Sequence, residues 1–285
     1  MTSRNTKNAV RESVLEELFR VKKPIIGMAH LPPLPGSPRY EGGGIVHILE
    51  RAVQDAKNLE TGGINGLIVE NLGDAPYLKT NVSPETISAM TLVVRKVIDT
   101  VDVPVGVNIL RNDVKAALAV AYVTGGKFIR ANVFTDTVVT DQGIIEASAP
   151  ELLRYRRCLG AGEIKIFADV HVKHGLPLSP VSIEQSAKEA AYRGLADALI
   201  VTGARTGIEP DLKDLTRARK AVPDRPLLVG SGATKENILK LLECADGAIV
   251  GTSLKVDGIT ENPVDGGRVK AFMTNVEKLR KLRLT

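Results

Sequence analysis

The chain has 285 residues, of which 44% are hydrophobic and 25% charged, without a low-complexity tract. This composition is typical of a chain that buries a large core, and we expect one domain spanning residues 1–285. The net charge of +5 comes from scattered Lys and Arg and tryptophan is absent, which argues against a nucleic-acid partner because such surfaces use basic stripes and aromatic stacking platforms.

No apolar run approaches the length of a membrane span, and the N-terminus has no signal-peptide core. The two cysteines, Cys158 and Cys244, show neither metal-binding nor disulfide spacing and fit reduced thiols. We therefore expect a cytoplasmic protein that does not insert into a membrane.

The first predicted element is an amphipathic helix at 10–20, within an N-terminal extension of residues 1–23, which would close the bottom of the fold. Eight short apolar runs follow, separated by segments of helical periodicity. The runs lie at 24–31, 66–71, 104–110, 128–134, 164–171, 198–203, 226–232 and 247–252. Near-continuous hydrophobicity is typical of parallel strands covered on both faces. Eight such units in a row without a second domain favour an α/β fold, a single (β/α)8 TIM barrel, over an open doubly wound sheet. A Rossmann fold is disfavoured because no G-x-G-x-x-G follows the first strand.

Active sites of such barrels lie at the C-terminal ends of the strands, where alternation decides which side chains point inside. In the fifth run Asp169 and His171 alternate with the apolar residues Ala168 and Val170. Both polar side chains are therefore expected inside the barrel near its top. They are candidate catalytic residues, working as an acid–base pair or as metal ligands; a structural pair is the alternative.

The first four runs add further polar residues near their ends. Glu70 in the second run is a candidate acid or base, and His30 in the first run is a weaker candidate for a ligand or a structural role. Asn108 and Asn132, in the third and fourth runs, are candidate substrate-binding amides. Arg130 lies deeper and fits a structural ion pair equally well. The cofactor is unknown from the sequence, and a divalent metal held by Asp169, His171 and Glu70 is an open alternative.

The last two runs both end in glycine-rich turns with hydroxyl side chains. Backbone N–H groups of two adjacent turns can converge on a phosphate, as they do after strands 7 and 8 of many (β/α)8 barrels. The candidate phosphate-binding residues are Gly230, Ser231, Gly232, Ala233, Gly251, Thr252 and Ser253. Arg205, after the sixth run, is a further candidate for contact with the anionic substrate.

Two of the strand-to-helix connections are long. The connection at 31–40 is rich in proline and would form a fixed rim or an oligomer contact, and the polar connection at 135–143 could act as a lid.

Several stretches make the chain similar to the BtpA/SgcQ family along nearly its whole length. They are the glycine- and proline-containing segment at 27–38, the segments at 132–133 and 140–146, Ala-Asp-Val-His-Val-Lys-His at 168–174, and the paired glycine turns of the last two runs, which many phosphate-binding barrels share. The resemblance implies a TIM barrel of the ribulose-phosphate-binding type. It implies little about chemistry, because one member is associated with photosystem I biogenesis and the family is described only as predicted enzymes.

Two hypotheses about function follow. The leading one is a lyase, isomerase or hydrolase of a phosphorylated sugar, nucleoside or similar metabolite, with phosphate on the paired turns and acid–base or metal-assisted chemistry at Asp169 and His171. The alternative is a barrel without catalysis that serves as an assembly or stability factor for another complex. A homo-oligomer is compatible with both.

Overall fold

The structure is a computed structural model that describes residues 13–203 and 206–282. Arg205 and the beginning of the helix predicted at 10–20 lie outside the described residues. The strands are β1 (Ile25–His30), β2 (Gly66–Glu70), β3 (Val105–Asn108), β4 (Phe128–Ala131), β5 (Val138–Thr140), β6 (Gly143–Ile145), β7 (Lys165–Val170), β8 (Leu176–Pro177), β9 (Ala198–Val201), β10 (Leu227–Val229) and β11 (Gly247–Val250).

Eight of these strands are parallel and close into a barrel in the order β1-β2-β3-β4-β7-β9-β10-β11, with β11 pairing back onto β1. Helices pack around it. They are α1 (Val14–Phe19), α2 (Val46–Thr61), α3 (Pro84–Ile98), α4 (Val114–Thr124), α5 (Ala149–Cys158), α6 (Ile183–Lys188), α7 (Leu212–Ala221), α8 (Ile238–Cys244) and α9 (Gly266–Leu282). The predicted TIM barrel with an extra N-terminal helix is confirmed.

The lower half of the barrel interior is apolar. Phe128 and Phe167 stack with their ring centroids 4.7 Å apart, and Phe19 of α1 meets Phe128 edge-on at 5.6 Å. Leu15 of α1 joins the same buried cluster. The N-terminal helix therefore closes the bottom of the barrel, as its amphipathic pattern predicts, and leaves the other end for polar side chains.

Each barrel strand ends before its apolar run does, and for two strands the structure shows why. After β4, the side chain of Asn112 donates to the Val133 carbonyl and accepts from the Val133 N–H, both at 2.9 Å. These bonds take the place of a sheet ladder. After β7, His171 adopts a positive φ of 52°, which turns the chain out of the strand conformation. Both departures lie at the end of the barrel where sites form.

The predicted lid at 135–143 contains β5 and the first residue of β6. β5 pairs antiparallel with β6 and with β8, which makes a three-stranded sheet at the barrel mouth. The proline-rich segment after β1 is fixed, because the Leu34 N–H donates to Asp74 Oδ1 at 2.7 Å and Asn71 Nδ2 donates to Asp74 Oδ2 at 2.9 Å. The segment after β1 therefore forms a fixed rim. An oligomer contact through this segment stays a prediction.

Within residues 13–203 and 206–282, no helix combines the length and the apolar character needed to cross a membrane.

Candidate functional site

Two adjoining cavities open at the C-terminal ends of the barrel strands. The larger, about 830 Å³, is lined by polar residues that include Glu70, Asn132 and His171, with the small sheet at its rim. The smaller, about 230 Å³, is walled by the turns after β10 and β11. Lys173 and Thr206 line both cavities. A small ligand that fills one cavity can therefore extend into the other.

The two glycine turns come together around the smaller cavity, as predicted. The residues that they contribute to its wall are Gly230, Ser231, Gly232, Ala233, Thr234, Gly251, Thr252 and Ser253. Among the described residues, the N–H groups of Gly232, Ala233, Thr252 and Ser253 find no hydrogen-bond acceptor. Unengaged backbone donors around a concavity make a site suited to an anion.

Gly232 is required by geometry. Its φ is +67°, and a Cβ atom at this position would lie 2.0 Å from the Glu209 backbone N. The loop after β9 thus packs directly onto the turn after β10, and this contact fixes the direction of the Gly232 and Ala233 N–H groups.

The hydroxyl groups of the two turns are engaged by other groups of the protein. Ser231 Oγ accepts from the Gly203 N–H and donates to the Ile208 carbonyl, both at 2.9 Å. Ser253 Oγ donates to the Ala233 carbonyl at 2.7 Å, and Thr252 Oγ1 lies 2.9 Å from Thr260 Oγ1. These hydroxyls join the turns to each other and to neighbouring loops, which leaves the backbone as the source of free donors.

A row of three polar side chains crosses one side of the barrel. His30, Glu70 and Asn108 are the last residues of β1, β2 and β3, and the strand register places them side by side. Asn108 Nδ2 donates to Glu70 Oε2 at 2.6 Å, and His30 Nε2 lies 3.6 Å from Glu70 Oε1. The inward direction of Glu70 agrees with the prediction, and Asn108 holds its carboxylate in place.

His30 is the neutral member of this row. Burial, reinforced by the positive charge of Lys255, lowers its pKa well below the ordinary value, so the imidazole is uncharged at neutral pH. His30 Nδ1 lies 3.2 Å from the Thr260 carbonyl. A proton on Nδ1 is donated to that carbonyl, which leaves the lone pair of Nε2 toward Glu70.

A buried ion pair joins β4 and β7, the two strands that follow β3 around the barrel. Arg130 Nε and Nη2 donate to Asp169 Oδ1 and Oδ2, both at 2.8 Å, and both side chains are almost completely buried. Asn132 Nδ2 adds a weaker contact of 3.4 Å to Asp169 Oδ2. Asp169 therefore lies inside the barrel as predicted, but Arg130 occupies both of its oxygens, and its carboxylate is not free to act as a base.

His171 makes no hydrogen bond to Asp169, so the expected acid–base pair is not formed. The positive φ of His171 breaks the alternation on which the expectation rested. The residue still lines the larger cavity. Its Nε2 and the Asn132 Oδ1 atom are buried without a hydrogen-bond partner among the described residues. Two orphaned polar atoms at one cavity indicate a place for polar groups of a ligand.

The open alternative of a divalent metal finds no support in this arrangement. In the described ranges no group of three or more His, Cys, Asp and Glu side chains is spaced to hold a metal ion. Arg130 engages Asp169 and Asn108 engages Glu70, so Asp169, His171 and Glu70 do not form a common site.

Tyr77, Arg111 and Lys173 also line the larger cavity, although the sequence analysis does not single them out as site residues. Tyr77 donates its hydroxyl proton to the Leu72 carbonyl at 2.7 Å, and burial, with the nearby Glu70, raises its pKa. Lys173 shares the parity of Asp169 along the chain, a signal that could have identified it. Arg111 lies beyond the end of β3, where no strand pattern gives its direction.

Comparison with known proteins gives a family and a fold. The model described as the BtpA family matches residues 21–278. The Photosystem I biogenesis protein BtpA of Synechocystis sp. is 46% identical over 259 residues, which are 91% of this chain and 90% of that protein.

Two solved structures are similar in fold. Thiamine phosphate pyrophosphorylase from Pyrococcus furiosus has a TM-score of 0.54 at 14% identity, with 90% of this chain and 96% of that chain covered. Phosphoribosyl anthranilate isomerase from Thermus thermophilus has a TM-score of 0.53 at 11% identity, with coverage of 90% and 99%. At these identities the similarity shows the fold alone.

Proposed function

The chain belongs to the BtpA family, and we propose that it is an enzyme that acts on a phosphorylated small metabolite, such as a sugar phosphate or a nucleotide-like compound. The observation that carries this proposal is the junction of the two cavities. One presents unengaged backbone N–H groups of Gly232, Ala233, Thr252 and Ser253, and the other is lined by acid–base and amide side chains.

The phosphate group would lie in the smaller cavity. The four N–H groups would donate to the phosphate oxygens. The positive charge of the Lys173 ammonium group at the cavity wall would favour a doubly charged phosphate. Two fold neighbours, thiamine phosphate pyrophosphorylase and phosphoribosyl anthranilate isomerase, carry phosphorylated compounds in their names. Their similarity in fold supports the class of substrate and leaves the reaction open.

The rest of the substrate would extend into the larger cavity. There Glu70, oriented by Asn108, is the group placed to accept a proton, and the neutral His30 stands beside it. Asn132 Oδ1 and His171 Nε2 would bind polar groups of the substrate, since protein leaves them without partners. Asp169 would act by positioning Arg130. Lyase, isomerase and hydrolase chemistry are all compatible with these roles.

Ligand-dependent stability tests the proposal. Urea unfolding is measured with glycerol 3-phosphate, ribose 5-phosphate and inorganic phosphate, and with glycerol and ribose as controls without phosphate. A phosphate ester present at 100 times its Kd raises the free energy of unfolding by about 2.7 kcal/mol. If none of the phosphorylated compounds stabilises the protein more than its control, the proposal fails.

A second candidate is supported by the name of one relative, the Photosystem I biogenesis protein of Synechocystis. In this alternative the barrel stabilises or assembles another complex without catalysis. The two candidates separate in a Synechocystis strain that lacks its own BtpA and receives this chain. If wild type and the Glu70→Gln variant restore photosystem I equally, the assembly role is supported; if only the wild type restores it, chemistry at Glu70 is supported.

A further inference from the structure

Lys173 occupies the boundary between the two cavities and has no role so far beyond its charge. It follows the end of β7 closely and lines both the larger and the smaller cavity. Its ammonium group interacts electrostatically with Arg130, Glu70 and Asp169. The side chain therefore extends into the barrel, between the turns proposed to bind phosphate and the row that contains Glu70.

The backbone of Lys173 is held on both sides. Its N–H donates to Thr202 Oγ1 at 3.1 Å, and its carbonyl accepts from Arg111 Nη2 at 2.5 Å. Thr202 follows β9 and Arg111 follows β3, so elements from different parts of the barrel fix the starting point of the side chain. A group fixed in this way meets a bound ligand in a reproducible position.

The surroundings of the amine disfavour its charge. Across the described part of the chain, Nζ donates no hydrogen bond, and the two nearby carboxylates are engaged, Asp169 by Arg130 and Glu70 by Asn108. Burial, followed by the positive charge of Arg130, lowers the pKa of Lys173 to about 8. At pH 7 about a tenth of the side chain is then the neutral amine, the form that attacks carbon.

We propose that Lys173 is a catalytic nucleophile that forms an imine with a carbonyl group located close to the phosphate of the substrate. The inference rests on the proposed function, because phosphate binding at the turns after β10 and β11 would place the carbonyl beside the amine. It narrows the substrate class to keto or aldehyde phosphates.

The step needs one proton from solvent and no other reactant. The lone pair of Nζ forms a bond to the carbonyl carbon while the C=O π electrons move to oxygen, and a proton passes from nitrogen to that oxygen. Solvent then donates a proton to the resulting hydroxyl group, the C–O bond breaks, water leaves, and the nitrogen lone pair forms the C=N bond, so that the imine is left protonated. The protonated imine draws electrons from the neighbouring carbon, so that a C–H or C–C bond there is weakened and Glu70 can take the proton.

Lys255 is an internal comparison. Burial lowers its pKa to about 8 as well, but it lines neither cavity, and its Nζ lies 3.5 Å from Asp55 Oδ2. If a low pKa alone decided reactivity, Lys255 would react too. The proposal predicts that it does not.

The test is reductive trapping with dihydroxyacetone phosphate. The full chain is incubated with this ketone and sodium cyanoborohydride, and the mass of the protein and of its peptides is measured. One reduced adduct is expected, on the peptide that contains Lys173, and dihydroxyacetone without phosphate is expected to give less than a tenth of the labelling. Below about pH 7 the initial rate of labelling should rise about tenfold per pH unit, because the fraction of Lys173 present as the neutral amine rises about tenfold per unit in that range.

The Lys173→Arg variant keeps a cation but cannot form an imine. It should lose the adduct and keep the stabilisation by glycerol 3-phosphate, which has no carbonyl group. Adducts scattered over surface lysines, or no adduct at Lys173 in a wild-type protein that glycerol 3-phosphate stabilises, would overturn the nucleophile while leaving the phosphate site. Absence of stabilisation by any phosphate ester would instead reject the proposed function. If the variant does not fold, the peptide map of the wild type alone decides.

Discussion

Arg130 binds both carboxylate oxygens of Asp169 at 2.8 Å inside the barrel, with both side chains buried. A bidentate pair of this kind fixes the planes of both groups. It also removes Asp169 from direct proton transfer, so that in the proposed function Glu70 is the carboxylate that meets the substrate.

Removing one charge of this pair should lower the free energy of unfolding much more than replacing both side chains by apolar ones. Asp169→Asn leaves the buried guanidinium without its counter-charge, and we expect the free energy of unfolding to fall by about 3–5 kcal/mol. The double variant Arg130→Met, Asp169→Leu removes both charges and should be clearly more stable than the single variant. Urea unfolding of the three proteins measures this. A single variant as stable as wild type would contradict the pairing.

The turn after β10 should tolerate no side chain at Gly232. Gly232→Ala combines a φ of +67° with a contact of 2.0 Å to the Glu209 backbone, so we expect it to abolish stabilisation by phosphate esters. Gly160→Ala is a matched control, since Gly160 also has a φ of +67° but an added Cβ meets nothing within 4 Å. The control should lose about 1 kcal/mol and respond to phosphate esters as wild type does. Equal responses of the two variants would show that the turn does not bind the ligand.

The hydroxyl of Ser253 should matter for stability more than for binding. It donates to the Ala233 carbonyl at 2.7 Å, so Ser253→Ala should lower the free energy of unfolding by about 1 kcal/mol. Because the proposed phosphate contacts come from the backbone, the Kd for a phosphate ester, measured by calorimetry, should change less than tenfold. A loss of a hundredfold or more would assign the hydroxyl to the ligand.

His30 should make the protein sensitive to mild acid. Its folded-state pKa lies well below 6.5, so the unfolded chain takes up the proton first as the pH falls. The stabilisation that depends on neutral His30 is therefore complete above pH 6.5 and declines below it, by at most about 1.4 kcal/mol per pH unit. Urea unfolding of wild type and His30→Gln between pH 7.5 and 5 tests this. The variant should show the shallower decline, and identical slopes would contradict the assignment.

The barrel could be predicted because its determinants are local. Each apolar run is short and covered on both faces. The amphipathic helix that contains Leu15 and Phe19 has one apolar face, which packs against the apolar end of the barrel interior. The row of His30, Glu70 and Asn108 was also accessible, because each residue ends its strand and parallel strands end at the same side.

The contacts of the site could not be predicted, because they depend on pairs that lie far apart in the chain. Alternation gave the inward direction of Asp169, but not the two hydrogen bonds that Arg130 makes to it. The positive φ of His171 has no signature in a sequence that lacks glycine there. Likewise, the hydroxyl of Ser231 accepts from the Gly203 N–H and donates to the Ile208 carbonyl. These two hydrogen bonds exist only when the loop after β9 is folded against the turn.

The central claim is that phosphate binds between the turns after β10 and β11. A crystal structure of the protein grown with saturating glycerol 3-phosphate tests it most directly. We expect the phosphate within hydrogen-bond distance of the N–H groups of Gly232, Ala233, Thr252 and Ser253, with the carbon chain of the ligand toward Lys173. A ligand bound elsewhere, or turns that stay empty at saturation, would contradict it.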